Sequence, residues 1–323
     1  MKAALVENEK LIITKVEKPI PKDNEILIEV KAAGLNRADL LQRKGTYPSP
    51  KGWPEWPGLE ISGVVAEVGS GCKKYNIGDK VCALVGGGGY AEYICVPEGM
   101  IMPIPKNISF EEAAALPEAY ATSYLNLFWE GHLKSGGTAF IPAGASGLAS
   151  VSIPMAKAFG ARVITSVLTD EIAEKINPLG ADVIINSQKE NVAEILKREE
   201  ENGHPINMAM DCLCGQTLGE SLPYMADGGY WVVISTLAGI ETNVLLRPLL
   251  TKGLHLVGSM LRKRTNEEKT ILLEELVEKV WPKLESGEIK PSIYKVLPFE
   301  EVNEAQDILE RGENIGKVVL KVV

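Results

Sequence analysis

The amino-acid sequence predicts an α/β chain of two domains, one mostly β and one built on a doubly wound parallel sheet. Three observations lead there. The 323 residues make about two domains at roughly 150 residues each. The first third alternates apolar and charged residues with period two, as half-buried strands do. The middle then switches to short apolar runs separated by helical segments, the pattern of a parallel sheet covered on both faces. An apolar fraction of 45% with 24% charged residues is ordinary for a globular chain and argues against a fibre or a disordered tail. The long uncharged stretch through 138–156 is broken by Pro142 and Pro154, so it lacks the apolar density of a spanning helix and no membrane partner is expected. Charges at Lys2, Glu7, Glu9 and Lys10 leave no room for an apolar leader, which points to the cytoplasm.

The formal charge of −9 disfavours a broad phosphate-neutralising surface, and no aromatic–basic interleaving suggests an RNA face, so no nucleic-acid partner is expected. The one basic cluster is Arg262-Lys263-Arg264. Five Cys without a CxxC pair and three scattered His give neither a disulfide framework nor a zinc-ligand spacing.

Taken in order, residues 25–31 set Ile26, Ile28 and Val30 against Glu25, Glu29 and Lys31. Residues 61–68, 79–85 and 90–96 follow as short strands, punctuated by Gly69-Ser-Gly71 and Gly86-Gly-Gly-Gly89. Between them, 47–58 is too rich in Pro for regular structure; its Trp53 and Trp56 either pin the loop to the body or line a cleft. The middle offers strands at 138–142, 162–167, 181–186, 207–212, 230–235 and 255–259. After Glu285-Ser-Gly-Glu288, strands return at 293–297 and 318–322. They flank a helix over 299–310 in which Ala305, Ile308 and Leu309 recur at helical spacing.

The strand at 138–142 runs into Ala143-Gly-Ala-Ser-Gly-Leu-Ala149 and a helix through Lys157. A dinucleotide's pyrophosphate needs main-chain N–H groups at a helix start with no Cβ blocking the approach. Gly144, Ala145, Ser146, Gly147 and Leu148 meet that demand. As a motif this is a degenerate GxGxxG, and a tight packing turn would read the same; the βαβ partner at 162–167 favours the nucleotide. At the end of that second strand an NAD site carries an acidic residue for the ribose, whereas this chain has Val167-Leu-Thr169. NADPH is therefore expected over NADH, although Asp170 and Glu171 follow at once and no Arg or Lys comes before Lys175.

With these segments in view, the chain resembles the zinc-independent, zeta-crystallin-like quinone oxidoreductases of the medium-chain dehydrogenase/reductase superfamily. It is most similar to their tumour-suppressor-inducible subgroup. The likeness runs nearly end to end: Leu35-Asn-Arg-Ala-Asp-Leu-Leu-Gln42, Gly58-Leu-Glu60, Val96-Pro-Glu-Gly99, Met102-Pro-Ile-Pro105, Ala114-Ala-Leu-Pro-Glu-Ala119, the Gly-rich turn, and Asn314-Ile-Gly-Lys-Val-Val-Leu320. It implies a GroES-like catalytic domain from 1–122 and 290–323 around a Rossmann dinucleotide-binding domain over 123–289. Zinc-dependent relatives need a thiolate and an imidazole. Against their pattern the Cys position is Asn36, the possible His positions are Leu41 and Leu59, and only Glu60 survives. The resemblance thus implies catalysis without a metal, with Glu60 structural and paired with Arg37.

Without a Lewis acid, a simple ketone has little to polarise it, whereas a quinone or conjugated enone delocalises the arriving charge itself. The expected reaction is hydride transfer from NADPH to such a small molecule, the protein supplying orientation and a donor for the developing oxyanion. The resemblance assigns Asn36 to the nicotinamide cleft and Tyr47, a phenol protonated at neutral pH, to the acceptor. It gives Thr122 to the nicotinamide amide, Thr169 to the 2′ end of the cofactor and Lys317 to the cofactor from the C-terminal segment. Thr169, Ile172 and Ser187 stand where relatives often carry Ser, Lys and Tyr near the 2′-phosphate, and Pro154 interrupts the phosphate helix. Other readings are a 2-enoyl thioester reductase of the same superfamily and a non-catalytic nucleotide-binding redox sensor. The apolar segment 253–261 resembles the edge strand through which relatives pair, so a homodimer is expected.

Overall fold

A computed structural model describes residues 1–322. Its strands are β1 (Lys2–Glu7), β2 (Lys10–Lys15), β3 (Glu25–Gly34), β4 (Glu60–Val68), β5 (Lys80–Leu84), β6 (Tyr93–Pro97) and β7 (Ile101–Pro103) in the first third. The middle holds β8 (Thr138–Ile141), β9 (Arg162–Val167), β10 (Val183–Asn186), β11 (Ile206–Asp211), β12 (Met225–Val233) and β13 (His255–Gly258). The last are β14 (Ile293–Pro298) and β15 (Lys317–Lys321). The chain divides into two units: Met1–Ala121 together with the segment from Arg262 onward, and Thr122–Leu261.

In the first unit a seven-stranded sheet runs β14-β15-β3-β4-β5-β7, with β6 also pairing with β3. The ten residues of β3 serve three partners, β4 along one edge and β6 and β15 in turn along the other. Glu25–Glu29 pair with β6 and Ala32–Gly34 with β15, and Ile26, Leu27, Ile28 and Val30 are fully buried. The β1–β2 hairpin turns on Asn8 and Glu9, both with positive φ (50° and 59°). That is the backbone of a tight two-residue hairpin turn, here without the Gly that would signal it.

In the second unit the sheet order is β10-β9-β8-β11-β12-β13, every pair parallel. All four residues of β8 are buried, as a strand covered on both faces requires. The strand order reverses between β8 and β11. In open α/β sheets the crevice at the carboxyl ends on either side of such a reversal is where ligands bind, and β8 ends there in the Gly-rich turn.

The return to the first unit comes at Arg262, not at residue 290 as expected. The helix Asn266–Lys279 buries Leu272, Leu273 and Leu276 and packs on β7. Beyond it, the Trp281 indole N–H donates to the Pro103 carbonyl at 2.7 Å. A helix following an apolar strand reads as one more α/β step, but its apolar side belongs to the β-rich unit.

Candidate active site

The turn after β8 leads into the helix Ala149–Ala158. Ala143 enters it at φ +57°, the left-handed region that costs an L residue roughly 1 kcal/mol. The five residues expected to bind phosphate divide into two groups. Gly144 sends its N–H to the Ser166 carbonyl at 2.9 Å, and a Cβ there would meet Thr165 Oγ1 at 2.5 Å and Ile176 Cδ1 at 2.8 Å. Its smallness serves packing beneath the turn. Ser146 donates its N–H to the Ala143 carbonyl at 2.8 Å, and its hydroxyl accepts the Ala149 N–H at 3.0 Å. The N–H groups of Ala145, Gly147 and Leu148 have no acceptor among the described residues. Three amides without an internal acceptor at the start of a ten-residue helix are donors that a diphosphate could use.

At the end of β9, Thr169 caps the following helix by accepting the Ile172 N–H, so its hydroxyl has a structural duty. Asp170 accepts from Asn186 Nδ2 and from Lys189 Nζ; the Lys189 contact is 2.5 Å. Lys189 thus brings a cation to the strand end where sequence reading found none, because it arrives from the loop after β10. Ser187 turns inward to the Val167 carbonyl at 3.0 Å. Thr122 is half-buried, and its carbonyl accepts Asn126 Nδ2 at 2.7 Å. The adjacent Ser123 hydroxyl meets that of Ser152, on the phosphate helix, at 2.7 Å.

In the first unit Asn36 precedes the helix Arg37–Arg43. Its Nδ2 donates to Glu60 Oε1 at 2.9 Å and its Oδ1 accepts Lys317 Nζ at 2.6 Å, so both ends of the amide are engaged within this unit. Lys317 is buried and also donates to the Leu35 carbonyl and to Glu60 Oε1, both at 2.7 Å. The other Glu60 oxygen accepts the Glu118 N–H at 2.9 Å. Glu60 therefore pairs with Lys317 and not with Arg37, whose Nη1 donates to the Leu309 carbonyl at 3.2 Å. Lys317, expected to reach for cofactor, has all three N–H directions committed within its own unit. A buried ion pair persists when its remaining bonds are satisfied, as they are here.

Around this pair lie two carboxyls held above their usual range. Asp39, fully buried, is pushed up to about 6 by burial, against the opposing bonds from Tyr90 Oη (2.8 Å) and the Asn36 and Gly58 N–H groups. Glu118, from the Pro117-Glu-Ala119 motif, is pushed up to about 7 by burial and by the charge of Glu60. Tyr47 is half-buried, with the Arg262 guanidinium 3.8 Å above its ring; burial raises its phenol, and Arg262 opposes that. The Pro/Trp loop is pinned to the body. Trp56 Nε1 donates to the Gly88 carbonyl at 3.1 Å, Gln42 Nε2 holds Ser49 Oγ and the Glu55 carbonyl, and the Trp53 ring lies where a Cβ on Gly86 would fall. Glu118 and Arg262 were not singled out as site residues from the sequence. The Pro117-Glu-Ala119 motif and the lone basic cluster were the available signals.

The chain matches the alcohol dehydrogenase GroES-like domain over residues 22–106 and the zinc-binding dehydrogenase domain over 147–278. The quinone oxidoreductase-like protein 2 homolog of Nematostella vectensis is 33% identical over 301 residues, 92% of this chain and 81% of that protein. The quinone oxidoreductase of Sus scrofa is 30% identical over 305 residues, 94% of this chain and 90% of that protein. This chain belongs to the quinone oxidoreductases of the medium-chain dehydrogenase/reductase superfamily. A mycobacterial member of the fold, solved in complex with NADPH, superposes with a TM-score of 0.84 at 26% identity, covering all of both chains. The two units are accordingly a GroES-like domain and a Rossmann domain.

The second matching family is described as a zinc-binding dehydrogenase domain. At the position that the resemblance matches to a zinc thiolate, this chain has the Asn36 amide, already engaged at both ends. The one matching carboxylate, Glu60, is neutralised by Lys317, and Leu41 and Leu59 offer no donor atom. These residues do not suit a zinc ion.

Proposed function

We propose that this protein reduces quinones or conjugated enones with NADPH and without a metal. The observation that carries the reading is the Asn36–Glu60–Lys317 network, which commits the side chains at the metal-ligand positions to one another. Stabilisation of negative charge on the acceptor then falls to the acceptor's own conjugation and to hydrogen-bond donors. When bound, NADPH supplies the hydride. The open amides of Ala145, Gly147 and Leu148 suit its pyrophosphate, with Gly144 and Ser146 shaping the turn beneath. Lys189, with Thr169 beside it, suits the 2′-phosphate end, and Thr122 the carboxamide. Tyr47 donates the proton: its raised phenol keeps the proton at neutral pH. Asn36, braced by Glu60 and Lys317, keeps the loop before helix 37–43 in place, and Lys317 acts through that brace.

The test follows NADPH absorbance with a small ortho- or para-quinone, a 2-enal and a 2-enoyl thioester. Turnover of the quinone or the enal is expected. Turnover confined to the thioester moves the protein to the thioester reductases, and tight NADPH binding with no turnover of any acceptor moves it to redox sensing.

The edge strand β13 supports a homodimer. Leu256 on it is 48% exposed and Met260 just beyond it 44%, and the outer side of β13 has no strand partner among the described residues. A second copy would extend the sheet there. Sedimentation should give twice the chain mass, and a monodisperse monomer would refute the pairing.

A further inference from the structure

Arg262 has no carboxylate within ion-pair distance among the described residues; its guanidinium is spent on backbone. Nη1 donates to the carbonyls of Tyr47 (3.1 Å) and Pro48 (2.9 Å), and Nη2 to the carbonyl of Gly86 (3.1 Å). Its Cζ lies 3.8 Å from the centre of the Tyr47 ring. Its own carbonyl accepts from Lys269 Nζ at 3.2 Å, which ties it to the helix Asn266–Lys279. A single half-buried side chain thus joins the start of the Pro/Trp loop to the Gly86–Gly89 run and covers one face of the Tyr47 phenol.

We propose that Arg262 is the positioning residue for Tyr47: it fixes the loop that carries the phenol and stabilises the phenolate left when the proton has gone to the acceptor. This deepens the reading of Tyr47 as proton donor and rests on it. As the hydride's electron pair reaches the acceptor, the acceptor oxygen takes the Tyr47 proton, the Oη–H bond breaks, and one negative charge remains on the ring system. A cation stacked on that ring gains attraction as the charge appears, and water later returns the proton. The hydroxyl is free for this duty, for it makes no hydrogen bond among the described residues, whereas the Tyr47 backbone is held through its carbonyl. Other charges act on the same phenol. Glu118, on the helix Pro117–Tyr124, and Asp39, on the helix Arg37–Arg43, both push it up, and Arg262 alone is identified as pulling it down. Lys269 faces Glu118 and Arg262 from the helix behind. Lysine at 262 would keep the charge but lose the planar fork that reaches three carbonyls and the flat face that stacks.

The experiment uses the full-length protein with Tyr47→Phe, Arg262→Gln, Arg262→Lys and the Tyr47→Phe/Arg262→Gln double variant. Arg262→Gln should lower kcat about tenfold or more while the NADPH Kd, read by nucleotide fluorescence, stays within about twofold. Its alkaline limb in the kcat–pH profile should move to higher pH, because losing the cation weakens the acid. The tyrosinate absorbance assigned to Tyr47 by subtraction of the Phe variant should move the same way. Arg262→Lys should recover the limb while recovering kcat only in part, and in the Tyr47→Phe background Arg262→Gln should cost nothing further. If Tyr47→Phe leaves kcat unchanged, the proton-donor reading itself fails. If Tyr47→Phe lowers kcat but Arg262→Gln adds its full loss on top, or leaves the limb and the absorbance where they were, the Arg262 role is overturned. Should Arg262→Gln not fold, Arg262→Lys decides: full kcat in that variant refutes the fork and the stack.

Discussion

The turn of the Rossmann unit and the buried polar cluster of the GroES-like unit treat their polar groups in opposite ways. The turn leaves the N–H groups of Ala145, Gly147 and Leu148 without acceptors among the described residues, so they are available to the proposed cofactor. The cluster spends its polarity internally: the Lys317 ammonium has three acceptors, and Glu60 has both oxygens engaged. A site built from main chain needs only small residues and tolerates any of them. A site built from paired side chains tolerates almost no single change, because each partner removed strands another.

The largest effect should come from the cluster. Lys317→Met leaves the Glu60 carboxylate buried without its cation, and the expected loss is about 3–5 kcal/mol in denaturant unfolding. Glu60→Leu together with Lys317→Met should recover most of it. A Lys317→Met protein as stable as the wild type would show that the cluster is not closed on itself. The turn should answer differently at its two glycines. Gly147→Val should keep the fold and abolish NADPH binding in titration calorimetry. Gly144→Val should instead lower the melting temperature, its side chain colliding with Thr165 and Ile176, at about 1–3 kcal/mol of overpacking. Equal loss of stability in both would erase the division of labour drawn for the turn.

A smaller effect separates the regions by pH. Burial holds Glu118 at about 7 against an ordinary 4.5, so between those values the folded state keeps a proton that the unfolded chain has lost. Stability therefore falls as pH rises through that window. Asp39, at about 6, adds a decline in the same sense at lower pH. Glu118→Gln should flatten the first decline and be about 1 kcal/mol more stable than the parent at pH 8, measured by thermal melts at pH 5 and 8. Profiles that run parallel between pH 5 and 8 would mean that Glu118 is ionised in the fold. The smallest effect belongs to Lys189→Ala, which removes the cation from the Asp170 carboxylate at the proposed 2′ end. It should weaken NADPH relative to NADH by a few-fold in paired titrations, and an unchanged ratio would remove Lys189 from the cofactor site.

The parallel sheet was legible because its strands are short apolar runs bounded by turn residues, and the Gly-rich turn because backbone access demands small side chains. The hairpin at Asn8 and Glu9 was not, since Glu in a positive-φ position gives no local signal. Lys317 was expected to reach the cofactor, and its pairing with Glu60 joins opposite ends of the chain, which no spacing rule reports. Arg37 was the nearer cation, yet it sits on a helix whose far side meets Leu309. Arg262 stood out only as part of the one basic cluster. Only the fold shows that one of those three cations has turned inward onto carbonyls. The same distinction explains the boundary at 262, where the helix Asn266–Lys279 has an apolar side whose destination its own pattern does not state.

The turn N–H groups without an acceptor among the described residues have a bench-level corollary. Main-chain donors recognise an oxyanion by shape and charge alone, so, on the proposed cofactor site, inorganic pyrophosphate or concentrated sulfate in a purification buffer should compete for the same turn. Protein prepared that way should melt higher and show a weaker apparent affinity for nucleotide than protein dialysed into a zwitterionic buffer.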